Sequence, residues 1–164
     1  MLKEVFWSED RSYRTGSDNE PVQFYIESLC NSIKLDLLLG YFSSAAISVL
    51  SLGFATFLYS GGKVRMIANN ILSQEDKDAI KAGRDGIVQY KVVDLSDIKR
   101  LKTTLDDYGK HFFECFAWLI SNGNIQIKII RPKTGRGIAH YKSGIFSDGI
   151  DTIGFKASCN FTAY

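Results

Sequence analysis

With 164 residues, 45% of them hydrophobic, the chain has the length and apolar content for one domain with a sizeable core, without internal repeats or low-complexity tracts. A formal net charge of +2 singles out no class of partner. Cys30, Cys115 and Cys159 are odd in number and far apart, and read as reduced thiols of a cytoplasmic protein; with only two histidines they give no zinc-ligand spacing, so no metal or other cofactor is expected.

The opening Met1-Leu-Lys-Glu-Val-Phe-Trp7 lacks the apolar stretch of a signal peptide, and Ser8 to Glu20 is polar and loop-like. Asp18-Asn19 before Pro21 marks a helix start, followed at helical spacing by Val22, Tyr25, Ile26, Leu29 and Cys30. Ile33 to Phe42 reads as a buried strand. Leu37 to Tyr59 carries no charge and is long enough to span a bilayer, but Gly40, Ser43 and Ser44 divide it. A strand followed by a half-buried helix, with Ala46, Val49, Leu50, Phe54, Phe57 and Leu58 on one face, explains it better than a membrane span. Ser43 or Ser44 caps that helix and Gly61-Gly62 closes it.

Val64 to Ala68 is a second strand, ending at Asn69-Asn70. Ser73-Gln-Glu-Asp76 has capping-box spacing and opens a helix that ends at Gly83; Ile87 to Val93 is a third strand. From Ser96 to Ser121 apolar residues recur in steps of three and four, the seam of one long helix or of two divided near Gly109. That seam faces the core or a second protomer, and His111 within it is expected to be structural. Ile125 to Arg131, Gly137 to Phe146 and Thr152 to Lys156 are strands. Helices interleaved with strands predict an α/β domain, a mixed sheet flanked by helices.

Chemistry concentrates at the end of the chain. Between Cys115 and Ser147 there is no acidic residue, while Lys128, Arg131, Lys133, Arg136 and Lys142 are basic. Such a field favours a polyanion, or is a set of solvated loop charges. Within it, Ala139-His-Tyr-Lys-Ser-Gly-Ile-Phe-Ser-Asp148 reads as a strand, so His140 and Lys142 point to the same side. Lys156-Ala-Ser-Cys-Asn-Phe-Thr162 repeats the spacing with Ser158 and Asn160. An imidazole, a fixed cation and two neutral hydrogen-bonding groups suit a phosphodiester.

Those two segments resemble the phospholipase D superfamily, and within it the bacterial nucleases, where His-x-Lys-x-Gly-Ile-Phe-x-Asp precedes Gly-Ser-x-Asn-Phe-Thr. His140, Lys142, Gly144, Ile145, Phe146, Asp148, Ser158, Asn160, Phe161 and Thr162 fall in register with that text, and Ala157 replaces the usual glycine. The resemblance implies a phospholipase D-like fold and metal-independent hydrolysis of DNA. His140 is then the nucleophile, Lys142 the neutralising cation, and Asn160 and Ser158 donors to the phosphate oxygens. Asp148 is either a partner of the histidine or lysine, or a surface turn acid. Arg131, Lys133, Arg136 and Lys156 are the expected DNA contacts. A single motif copy implies a homodimer sharing one cleft, and the family pattern continues with a helix and strand beyond Tyr164, as in restriction or repair proteins that carry a helicase-like domain. A phosphatidyl hydrolase and a non-catalytic nucleic-acid-binding module are the alternatives.

Overall fold

Lys34-Leu-Asp-Leu-Leu-Leu39 alternates at its first four positions, and in an extended chain Leu35, Leu37 and Leu39 share a face. All three are buried, and this segment is β1 (Lys34–Leu39), the middle of a five-stranded sheet. The computed structural model describes residues 1–88, 93–107, 109–133 and 137–158. Its sheet has the order β3-β2-β1-β4-β5. Strands β2 (Lys63–Asn69) and β3 (Ile125–Ile130) run parallel to β1, while β4 (Lys142–Ser147) and β5 (Thr152–Lys156) are antiparallel additions joined by a tight turn. The architecture is therefore the expected mixed α/β one.

Both parallel connections run the same way, from β1 to β2 to β3, so right-handed crossovers put their helices on one face. There lie α1 (Pro21–Cys30), α2 (Ala45–Val49), α3 (Ser51–Tyr59), α4 (Gln74–Arg84), α5 (Ile98–Asp106) and α6 (Lys110–Ser121). They bury the row Leu35, Val64, Met66, Ile125 and Phe146 under Leu29, Phe54, Phe57, Phe112 and Phe116. The opposite face carries Asp36, Arg65, Ile67, Lys128, Ser143 and Ile145, which are exposed or half-buried. Arg65 and Asp36 pair there through two hydrogen bonds on neighbouring strands, which holds the Asp36 carboxyl below its ordinary range.

Several local expectations hold. Pro21 opens α1, Ser73 Oγ accepts from Asp76 N at 3.0 Å to cap α4, and the long seam divides into α5 and α6 at Gly109. Others are corrected. The helix after Ser44 breaks in two at Leu50, and Val49 is exposed whereas Ser44 and Ser51 are buried. Its second half is apolar nearly all round because it is packed between α1, α5 and the sheet. Val22 is exposed, and Phe24 with Leu29 forms the inner face of α1. The strand predicted over Ile87–Val93 falls mostly outside the described residues, and its described ends, Ile87, Val88 and Val93, belong to no strand. Strand β4 starts at Lys142 rather than Gly137, so His140 precedes it. Of the three thiols, Cys115 is buried in α6 and pushed up to about 12 by desolvation, Cys30 is half-buried, and Cys159 lies outside the described residues. Among the described residues no helix is long and apolar enough to cross a membrane.

Candidate active site

The carboxyl ends of the parallel strands β1, β2 and β3 lie at one end of the sheet, where open α/β sheets commonly bind ligands. The antiparallel β4 begins there, because Lys142 pairs with Leu39. At this edge Lys142 Nζ lies 2.8 Å from His140 Nε2 and 3.5 Å from Nδ1. An ammonium has only donors, so Nε2 accepts and the ring proton belongs on Nδ1. His140 is exposed, whereas Lys142 is only 7% exposed. Its side chain leaves the inner face of β4, in the same row as Gly144 and Phe146, and its ammonium emerges at the rim beside the imidazole.

His140 lies outside regular strand, and other groups fix its position. Asn69, buried at the end of β2, donates through Nδ2 to Gly40 O at 2.7 Å and to Ala139 O at 3.0 Å. Its Oδ1 accepts from Ala139 N at 3.3 Å. Gly40 N donates to Tyr141 O at 2.5 Å. A Cβ on Gly40 would stand 3.0 Å from Ala139 O and 3.2 Å from His140 Cα, so a side chain there would crowd the segment that carries the imidazole. The Tyr41 ring meets His140 edge-on, with centroids 6.3 Å apart. Asn69, Gly40 and Tyr41 escaped the sequence reading. The signal available was polar and glycine residues at the ends of two buried strands, Gly40-Tyr41 after β1 and Asn69-Asn70 after β2.

Ser158 is brought to the same edge. Lys156 pairs with Ser143 and Ala157 N donates to Lys142 O at 2.8 Å, so the chain passes alongside Lys142 and leaves Ser158, exposed, just beyond it. Asn160 lies outside the described residues, as does Arg136. Arg131 and Lys133 are exposed immediately past β3, at the same end of the sheet. Lys156 is exposed on β5.

Asp148 is not brought to the pair. It follows the far end of β4, roughly 20 Å from Lys142 at ~3.4 Å per strand residue. There it is a turn acid: Oδ1 accepts from Ile150 N (2.9 Å) and Asp151 N (2.7 Å), and Oδ2 from Leu2 N (2.9 Å). These backbone donors hold its carboxyl at about 2. Alternation along a strand applies to Lys142 but not to His140, which precedes β4, and it carries no information about an acid six residues downstream. His111 sits on the outer face of α6 with its side chain 77% exposed, 3.4 Å from Glu114, while the buried seam runs through Phe112, Cys115 and Leu119 as expected. Among the described residues no three His, Cys, Asp or Glu side chains are gathered as a metal-ligand group. The sequence matches no known family model, and no curated protein is significantly similar to it.

Proposed function

We propose that this chain is a phosphodiesterase domain of phospholipase D type that hydrolyses DNA through a phosphohistidine. The observation that carries this reading is the 2.8 Å contact between Lys142 Nζ and His140 Nε2 at the strand ends. A non-bridging phosphate oxygen that takes the ammonium as its partner brings phosphorus next to Nε2. Attack by Nε2 forms the N–P bond as the P–O bond to the leaving oxygen breaks, and that oxygen takes a proton from the second histidine of a dimer. Water then attacks phosphorus, the N–P bond breaks, and the proton of the water returns to that second histidine.

Lys142 suits the role of neutralising the developing charge because it is buried along its stem and fixed at its tip, so little reorganisation accompanies the reaction. Ser158 and Asn160 complete the donors in this reading, and the exposed Arg131, Lys133 and Lys156 provide the sequence-independent attraction for the backbone. With lysine supplying the positive charge, cleavage is expected to continue in excess chelator. The test is cleavage of a labelled duplex and a labelled single strand by wild-type protein and His140→Ala, each with and without chelator. Cutting that survives chelator and disappears in the variant supports the proposal. Cutting that stops in chelator and returns with magnesium overturns the metal-independent mechanism.

A further inference from the structure

A cleft of about 740 Å³ lies between the polar segment after Trp7 and strand β5, on the helix-covered side of the sheet. Trp7, Tyr13, Tyr25 and Phe155 form its aromatic wall. Tyr13 and Trp7 hold against Phe24 with centroids 5.0 and 5.7 Å apart, and Tyr25 meets Phe155 edge-on at 5.3 Å. The polar handles of the first two are already engaged: Trp7 Nε1 donates to Leu2 O, and Tyr13 Oη accepts from Ser8 N. The rings are therefore fixed in place, and what they offer the cleft is flat apolar surface.

The other lining groups are cationic or neutral. Arg11 and Arg14 contribute two positive charges, Lys156 stands at the rim on the outer row of β5, and no carboxylate lines the cleft among the described residues. Asp10, in the same turn, directs its Oδ1 to Ser8 Oγ (3.1 Å) and Ser12 N (3.0 Å), and it offsets part of the charge of Arg14. Arg11 sits at φ 54, in the left-handed region that arginine rarely adopts, and its N–H donates to Ser8 O at 3.0 Å. A patch that only sealed the chain terminus against the sheet would need the rings but would not need two arginines beside them.

We propose that this cleft binds an unpaired nucleotide of a nucleic-acid strand, its base against the aromatic wall and its phosphate against the arginines. Rigid aromatic surface next to arginine side chains is the combination that single-stranded nucleic acid uses, because every base has a π face and every linkage a charge. The proposal rests on the phosphodiesterase reading for the identity of the polymer. It adds that the strand presented to His140 is unpaired at the neighbouring position. The connection is direct: β5 runs from Phe155 and Lys156 in the cleft to Ala157, bonded to Lys142, and on to Ser158.

Trp7 and Trp118 are the only tryptophans, so in a Trp118→Phe protein the emission of Trp7 reports on the cleft. A short thymidine oligonucleotide should change that emission saturably, whereas the same strand annealed to its complement, or inorganic pyrophosphate, should not. Tyr13→Ala should weaken the response by at least about tenfold, and so should Arg14→Glu, an exposed substitution that leaves the fold intact. His140→Ala should leave it unchanged. Equal responses to duplex or to pyrophosphate would overturn the proposal, as would oligonucleotide binding seen by anisotropy with no change at Trp7. Cleavage assayed on the same oligonucleotide separates the two readings: cutting without a Trp7 response sinks the cleft alone, and a Trp7 response without cutting sinks the phosphodiesterase alone.

Discussion

Lys142 is nearly buried, and its side-chain partner is a ring nitrogen of His140 rather than a carboxylate. Among the described residues no carboxylate pairs with it, and a site that handles anions is one setting in which such a cation is useful. On the proposed mechanism Lys142→Ala lowers cleavage by at least about a hundredfold, comparable with removing a charge-stabilising donor worth ~3 kcal/mol. A drop of less than tenfold would reduce the lysine to attracting DNA. Asn69 acts through others: Asn69→Ala leaves Gly40 O and Ala139 O without their donor at a cost of about 1–3 kcal/mol. Because it is buried and orients the His140 segment, on the proposed mechanism its loss should lower kcat while KM stays near the wild-type value. Asp148 makes a prediction in pH. Its folded pKa is depressed to about 2 from 3.8, so its contribution to stability is full above about pH 4 and fades as pH falls toward 2. Denaturant midpoints measured between those limits should fall more steeply for wild-type protein than for Asp148→Asn. Parallel curves would mean the turn contacts contribute nothing.

Strand β4 shows how one element serves both core and site. Its inner row is Lys142, Gly144 and Phe146, and its outer row is Ser143, Ile145 and Ser147. Phe146 is buried against Phe24 and Phe155, so Phe146→Ala should cost about 3–5 kcal/mol. Ile145, 51% exposed on the open face, should tolerate Thr at under about 1 kcal/mol. Urea denaturation of the pair tests the orientation of the strand: similar losses would mean that the outer row is covered as well. Gly144 lies beneath the Phe155 ring, where a Cβ would come within 2.6 Å of the ring edge and 2.7 Å of Asp36 O. Gly144→Ala therefore forces the edge strand β5 outward, and with it the chain that carries Ser158 past Lys142. This ties a glycine of the motif to the geometry of the site two residues away.

At the scale of the molecule, three parallel strands are covered by helices on one face and leave Ile67 and Ile145 open on the other, framed by Lys34, Lys63, Arg65, Lys128 and Lys156. Parallel sheets are usually covered on both faces, so this surface departs from the rule. The proposed two-step chemistry needs a second imidazole, and a two-fold dimer supplies it by symmetry. Mixing wild-type and His140→Ala chains tests this. If both histidines serve one cleft, heterodimers are nearly inactive and activity follows the square of the wild-type fraction. A linear dependence means that each chain works alone.

Much of this arrangement is legible in the residues themselves. Alternating leucines in β1, the Ser73 cap, the glycine between α5 and α6 and the His140-x-Lys142 spacing are local signals, each depending on a few neighbouring residues and the backbone geometry they favour. They sufficed for the mixed α/β class and for singling out His140 and Lys142 as neighbours, whereas the contact of the imidazole with the ammonium also depends on Asn69 and Gly40. Other features depend on partners distant in sequence. Asn69 reaches the His140 segment across seventy residues, and Arg11 and Trp7 line one cleft with β5 although they lie near opposite ends of the chain. Asp148 is conspicuous in the text of the motif, yet the length of β4 carries it to the opposite end of the sheet. Spacing along a strand determines the side on which a residue points, whereas its distance from a catalytic group depends on strand length, register and crossover handedness, which the tertiary structure alone decides.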